Sequence, residues 1–352
     1  MLQRLGASLV CVVMTSACTA LGPTTIPRDR FDYNSAVADS WKQQALLNIV
    51  KLRYADNPVF LDVAQIVSGY SFESSVSGSF GHATGVSTSD SLGISAQGRF
   101  TDRPTITYTP LTGQQYMKGL IVPIAPASVL FLIQSGYAAN LVLGMTVESI
   151  NGLNNRANAP ARLHPGDADF FRVLELFGDI QRSGALGMRI EVSKDKRETT
   201  VIAFRKRDIE PELEAKLAEL RRLLRLDPEA AEYRIAFGMG SGGNQIDLTT
   251  RSVLQVMIEL AGNVEVPQAH LQEGSALSVA RYTDKTQPLA RVRSGASRPA
   301  DAFAAVRYRG YWFWIDQGDL SSKRTLTFLM GIFNFADTGM RENLPLVTIP
   351  AQ

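Results

Sequence analysis

Cysteine and histidine are scarce in this chain, and each scarcity removes a chemistry. Of 352 residues only Cys11 and Cys18 carry a thiol, both near the amino end. No disulfide framework can therefore staple the remainder, and no thiol nucleophile is available there. His82, His164 and His270 lie far apart without the spacing of metal ligands, and read as exposed loop residues. No metal and no cofactor is expected. Excess charge is missing too: 36 basic against 34 acidic side chains leave +2, which gives no electrostatic reason for a nucleic-acid partner. No Gly-x-Ser-x-Gly elbow occurs, and no phosphate-binding Gly-Lys-Ser/Thr. A membrane-spanning run is also absent. The segment between Lys118 and Glu148 is free of charge, but Pro123, Pro126, Gly136 and Asn140 interrupt it, so it reads as packed core. What the chain does have, 45% hydrophobic and 20% charged residues, suits a folded protein with a substantial core.

The amino end supplies an address. Arg4 is a positive start, Leu5 to Met14 form a short apolar stretch, and Thr15-Ser16-Ala17 place small side chains before Cys18. Ten residues rise about 15 Å as a helix, half the hydrocarbon thickness, so the pattern is that of export and not of a span. It resembles the lipobox of bacterial lipoprotein signal peptides, except that Thr15 stands where an aliphatic residue is usual. The resemblance implies removal of residues 1–17, acylation of Cys18, and, with Thr19 following, a place on the periplasmic side of the outer membrane. An ordinary secretory signal with a chance cysteine is the plainer alternative. Residues 18–31, polar and proline-containing, read as a tether.

From Asn34 to Tyr54, Val37, Trp41, Ala45, Ile49 and Leu52 recur at helical spacing and predict a helix docked on a core. Beyond it, from Ile66 to Phe80, even positions are largely apolar (Ile66, Tyr70, Phe72, Val76, Phe80) and odd positions largely serine and glycine. The alternation resumes with Leu92, Ile94, Ala96, Gly98 and Phe100 after a polar loop, which predicts a β-hairpin of unusual length. Tyr70, Phe72, Val76, Phe80, Leu92, Ile94 and Phe100 are its candidate contact or membrane face. Strands this long can cross an outer membrane when tilted, but one hairpin leaves unsatisfied edges in lipid, so several copies would have to close a shared barrel. In plan the chain is similar to oligomeric lipoprotein pores of the curli-export kind. A soluble hairpin covering a helix, or pairing with a partner's sheet, is the competing expectation.

The rest predicts a strand at Thr105–Tyr108, helices near 112–120 and from Pro126 to Gly136, and a strand from Leu141 to Ile150. Asn151 to Pro165 is rich in turn formers and marks a boundary between domains at 32–155 and 156–352. In the second, Asp167 or Asp169 caps a helix bearing Phe170, Val173, Leu174 and Phe177. A hairpin pairs Met188–Val192 with Thr200–Phe204, and an amphipathic helix covers Glu210–Leu226. Thr250 is expected to cap a helix ending at Gly262, and Val264–Ala302 to be largely extended loop. Val306–Asp316 reads as one central strand, Ser321 or Ser322 opens a helix with Leu326, Leu329, Met330 and Phe333 inward, and Leu344–Ile349 forms a last strand. The fold class is α+β, a long amphipathic hairpin with helices followed by mixed helix and two-strand units, loosely similar to the ring-building modules of secretion machinery. Gly238, Gly240 and Gly243 match a bare dinucleotide pattern, yet a strand follows in place of a helix, which favours a turn. Tyr311, Trp312 and Trp314 are candidates for stacking on glycan rings, against a simpler role in the core.

Phe31-Asp32-Tyr33-Asn34, Asn48 to Tyr54 and Tyr311 to Asp316 look similar to stretches of uncharacterised bacterial lipoproteins. The functional expectation is a non-enzymatic, lipid-anchored envelope protein that assembles or scaffolds through its hairpin, by self-association or with envelope partners. The alternative is a periplasmic peptidoglycan-binding or cell-wall-modifying lipoprotein.

Overall fold

The computed structural model describes residues 21–67, 69–83, 89–159, 162–192, 198–205, 210–238, 242–276 and 288–336. Cys18 with the segment expected to direct export, residues 84–88 and 193–197, and the expected last strand at 344–349 lie outside them. The fold is α+β, and it divides into two compact units. The described part of one is 21–58 with 113–336, and of the other 59–112.

The first unit opens with helix α1, Leu21–Arg53. Residues 21–31, expected as a tether, are helical; Pro27 falls inside the helix. The side chains of Arg28 to Gln43 are exposed or half-covered, and burial begins at Ala45, with Leu46, Ile49 and Val50 sealed. A short helix α2 (Gly113–Tyr116) runs into a π-helical turn, Met117–Ile121. Helix α3, Pro126–Gln134, starts on proline at its first turn, where the missing N–H costs nothing, and is followed by Gly136 at φ 101°. Next come α4 (Ala139–Thr146), β5 (Val147–Ile150), β6 (Leu153–Asn154), β7 (Ala157–Ala159) and β8 (Arg162–His164). Leu141–Thr146, expected as strand, is thus helix. Ala139, Val142, Leu143, Met145 and Thr146 are all buried, so the run has no polar face from which a period could be read.

Helix α5 (Ala168–Arg182) buries Phe170, Val173, Leu176 and Phe177. Asp167 stands at its N-cap position, but its carboxylate accepts from the Asn154 backbone N–H at 2.6 Å and not from the helix. Then follow β9 (Leu186–Val192), β10 (Glu198–Phe204), α6 (Pro211–Leu223), β11 (Glu232–Phe237), β12 (Gln245–Thr250) and α7 (Val253–Ala261). On α6 Lys216 Nζ lies 2.8 Å from Glu212, one turn before it, and also reaches Asp179 of α5 at 3.0 Å. Thr250 ends β12; the cap of α7 is Ser252, in a reciprocal capping box with Gln255. Helix α8 (Gln268–Gln272) interrupts the stretch expected as loop.

Six strands form one mixed sheet in the order β6-β5-β12-β11-β10-β9. The boundary expected at 155 is therefore corrected: β5 lies within a sheet whose other strands come mostly from 186–250. The asparagine-rich signal is a real turn, built as structure. Asn151, at φ 46°, donates to Leu224 O at 2.7 Å and accepts from the Asp247 N–H at 2.7 Å, while Asn155 holds Gly144 O and Val147 O. A turn whose side chains satisfy buried backbone groups ties two regions together. Leu130 and Ile133 of α3, Leu143 of α4 and Phe177 of α5 meet Ile202, Ile235, Ile246 and Leu248 around an apolar void of about 10 Å³, roughly room for one water.

A smaller sheet, β13-β15-β14, follows (Arg293–Gly295, Tyr311–Asp316, Ala302–Tyr308). The single strand expected at 306–316 is two, turned at Arg309-Gly310 with positive φ at both; its aromatic part, β15, is central as expected. Helix α9, Leu320–Ala336, buries Leu326, Phe328, Leu329 and Ile332, with Met330 and Phe333 half-buried at its margin. Its first turn is held by Asp319, which accepts from the Ser322 N–H at 3.1 Å and hydroxyl at 2.6 Å.

Candidate functional site

The second unit is a two-stranded ribbon. Strands β2 (Tyr70–Ala83) and β3 (Ser89–Asp102) pair antiparallel without a register shift, from Tyr70↔Asp102 to Ala83↔Ser89. Below them β1 (Leu61–Val67) pairs with β4 (Thr105–Pro110). Arg103 N donates to Gly69 O at 2.9 Å, and Ile66↔Ile106 keeps the register of Tyr70↔Asp102, so the two ladders are one ribbon. Ala64 is left over in a bulge between Val63↔Tyr108 and Gln65↔Thr107. That extra residue has a consequence. It keeps Val63 and Tyr108 on the same side as Ile66 and Ile106, although the spacing from 63 to 66 is odd.

Successive positions on a strand belong to opposite faces, and directly paired positions share one. The register therefore gathers Phe72 with Phe100, Val76 with Ala96, Gly78 with Ile94 and Phe80 with Leu92 at positions of one parity. At the other parity stand Glu73 with Arg99, Ser75 with Gln97 and Ser77 with Ser95, the last joined Oγ to Oγ at 2.6 Å. All seven candidate hairpin residues, Tyr70, Phe72, Val76, Phe80, Leu92, Ile94 and Phe100, fall on the first parity. Of these, Val76 is the one whose side chain is described, and it is 57% exposed; farther down the same row Ile106 is 41% and Tyr108 54% exposed. Among the described residues, no third strand pairs with β2 or β3.

The aromatic candidates near the carboxyl end are arranged otherwise. Trp312 and Trp314 share one face of β15, and Tyr311 belongs to the other with buried Phe313 and Ile315. The Arg298 guanidinium lies 5.4 Å from the Trp312 ring, and Trp314 donates from Nε1 to Asp316 at 2.8 Å while packing against Gly295. Tyr311 instead meets His270, ring to ring at 4.9 Å. The three do not form one stacking platform.

His270 is not an exposed loop residue. It is buried on α8, with Nδ1 2.7 Å from the Tyr54 hydroxyl. Around this pair Tyr308 and Phe313 lie edge-on to Tyr54, the Tyr308 hydroxyl donates to Asp56, and the Arg309 guanidinium sits 5.2 Å from the Tyr54 ring. Burial, the dominant effect, pushes the Tyr54 hydroxyl up to about 12. The cluster locks the end of α1 to the β14–β15 hairpin. His164 accepts from the Gly166 N–H at 2.9 Å, and His82 stands in β2 opposite Asp90. A second buried polar group was equally invisible in the sequence. Arg251 reaches Gly144 O and Met145 O at 3.3 Å, Arg156 O, and Glu259 at 3.9 Å; burial brings it down to about 10, still charged at neutral pH.

Among the described residues no group of three or more His, Cys, Asp or Glu is placed to hold a metal, and no helix is long and apolar enough to cross a membrane. Gly238 and Gly243 flank the return from β11 to the parallel β12, with Gly243 N donating to Arg225 O at 2.8 Å, so no helix opens behind the glycines. Comparison of the chain with family models, with characterised proteins and with solved structures finds no match in any of the three.

Proposed function

We propose that this chain is a non-enzymatic, lipid-anchored protein of the cell envelope, held by acylated Cys18 on the periplasmic side of the outer membrane, and that it assembles with further copies of itself through its ribbon. The observation that carries this is the ribbon's two free long edges: β2 and β3 pair only with each other among the described residues. An uncovered strand edge is a template for another strand, and proteins that do not use such an edge blunt it with bulges, proline or charge. Among the ribbon's described residues the one bulge lies at Ala64, below β2 and β3, and the central stretches 74–81 and 91–98 carry neither proline nor charge. The anchor rests on Arg4, the apolar run to Met14 and the small residues before Cys18.

Two measurements test the reading. Labelled palmitate fed to the producing cells is incorporated into the parent chain and lost in Cys18→Ser. Two differently tagged copies co-purify from detergent extracts, and cease to do so when residues 70–102 are replaced by a short Gly-Ser turn. An unlabelled parent, or recovery of single tags alone, contradicts it. Retention on peptidoglycan sacculi that Trp312→Ala abolishes would move the assignment to cell-wall recognition.

A further inference from the structure

Resting on that assembly, we infer that the hydrocarbon of a lipid bilayer is what covers the ribbon's apolar row, so that each copy contributes one hairpin to a transmembrane barrel. Three features of the ladder converge on lipid over a protein cover.

The first is where charge stops. On the apolar parity, every position from Phe72 to Phe80 and from Leu92 to Phe100 is uncharged. The uncharged stretch is interrupted at one end by Asp102, opposite Tyr70, beyond which Ile66 and Ile106 resume the row, and it stops at the other at His82 opposite Asp90. The second is its length. From Phe72 to Phe80 the strand rises about 27 Å, or about 21 Å along the membrane normal at a ~40° tilt, close to the ~25 Å apolar band of outer-membrane barrels. The phenylalanine pair Phe72↔Phe100 closes one end of the row, and Phe80↔Leu92 the other, as the aromatic girdles of such barrels do. A ribbon lying on a protein has no reason to match that thickness.

The third is the opposite parity. Glu73↔Arg99, Ser75↔Gln97 and Ser77↔Ser95 put small hydroxyls, an amide and a balanced charge pair on the side away from the apolar row. The described side chains among them are exposed. That composition suits a water-filled lumen passing hydrated solutes and is unsuited to burial against a second apolar layer. In lipid both free edges must be paired, because no water is there to satisfy them. Further copies supply the pairing, which is why this inference needs the assembly.

The two faces are separated by comparing neighbours. Full-length Val76→Cys and Ser77→Cys chains are labelled with a polarity-sensitive fluorophore, with the parent as labelling blank, and reconstituted in phosphatidylethanolamine–phosphatidylglycerol vesicles. The Val76→Cys probe should be quenched several-fold more by nitroxide-bearing lipid than by aqueous iodide, and Ser77→Cys the reverse. Both probes answering to iodide while tagged copies still co-purify would overturn insertion and leave assembly standing. Both answering to iodide with no co-purification would overturn both readings. Both answering to lipid would contradict a two-faced barrel. Val76→Asp should abolish insertion with co-purification in detergent retained; insertion unimpaired by a carboxylate at that position would also overturn the inference.

Discussion

In the six-stranded sheet, Tyr233 and Ile235 of β11 are buried between exposed Glu232 and Arg234. Ile235 meets α3, α4 and α5 around the apolar void, and the Tyr233 hydroxyl accepts from Arg221 Nε at 3.0 Å and donates to Asp227 O. Strand β2 is written in the same alternation, yet at its centre Val76 is 57% exposed. Alternation alone thus states that a face is to be covered, not what covers it. In the sheet the cover is in the same chain, and each buried Leu, Ile or Phe there is worth roughly 1.5–3 kcal/mol. For the ribbon the account assigns the cover to lipid and the edges to other copies.

The contrast can be broken at either end. Replacing residues 70–102 by a Gly-Ser turn should abolish co-purification of tagged copies entirely, with the thermal midpoint of the remaining chain unchanged by calorimetry, since the compact unit holding α1 and the six-stranded sheet is separate. Arg251→Leu should do the opposite. It removes the donor to Met145 O and Arg156 O and the buried positive charge near Glu259, and should destabilise the sheet by about 3–5 kcal/mol in urea unfolding, while the ribbon still inserts.

Asp319→Ala should remove about 1 kcal/mol by uncapping α9. The same carboxylate gives a pH signature. Burial raises its proton affinity, but the Ser322 N–H and hydroxyl outweigh that and hold it below the usual carboxylate range; Lys216, hydrogen-bonded to Asp179, depresses that group as well. A depressed acid binds fewer protons when folded, so its stabilisation is present at neutral pH and is lost as pH falls through the folded-state value. The urea midpoint should therefore drop on acidification, and drop less in Asp319→Asn. Smallest of all, Ser77→Ala with Ser95→Ala should show a coupling of about 0.2–1 kcal/mol in a double-mutant cycle read on the ribbon.

What was legible follows the same physics. Pro126 and Gly136 announced α3 because backbone chemistry marks both of its ends, and the β2–β3 ladder was visible because exposed polar positions reveal the period. Leu141–Met145 hid its helix because burial on all sides erases that period. Asn151 and Asn155 announced a turn but not its use, since their partners Leu224 and Asp247 lie far along the chain. Distance in sequence also concealed the Tyr54–His270 pair and the contacts of Arg251. Ser252 with Gln255, by contrast, was a capping signal lying in plain view beside the less suitable Thr250.

The most direct test is the native mass of the lipidated protein in detergent, for the full chain and for the chain without residues 70–102. The account predicts a mass several times that of one mature chain, collapsing to a single copy on deletion. A single copy in both, or an assembly indifferent to the loss of the ribbon, would contradict it.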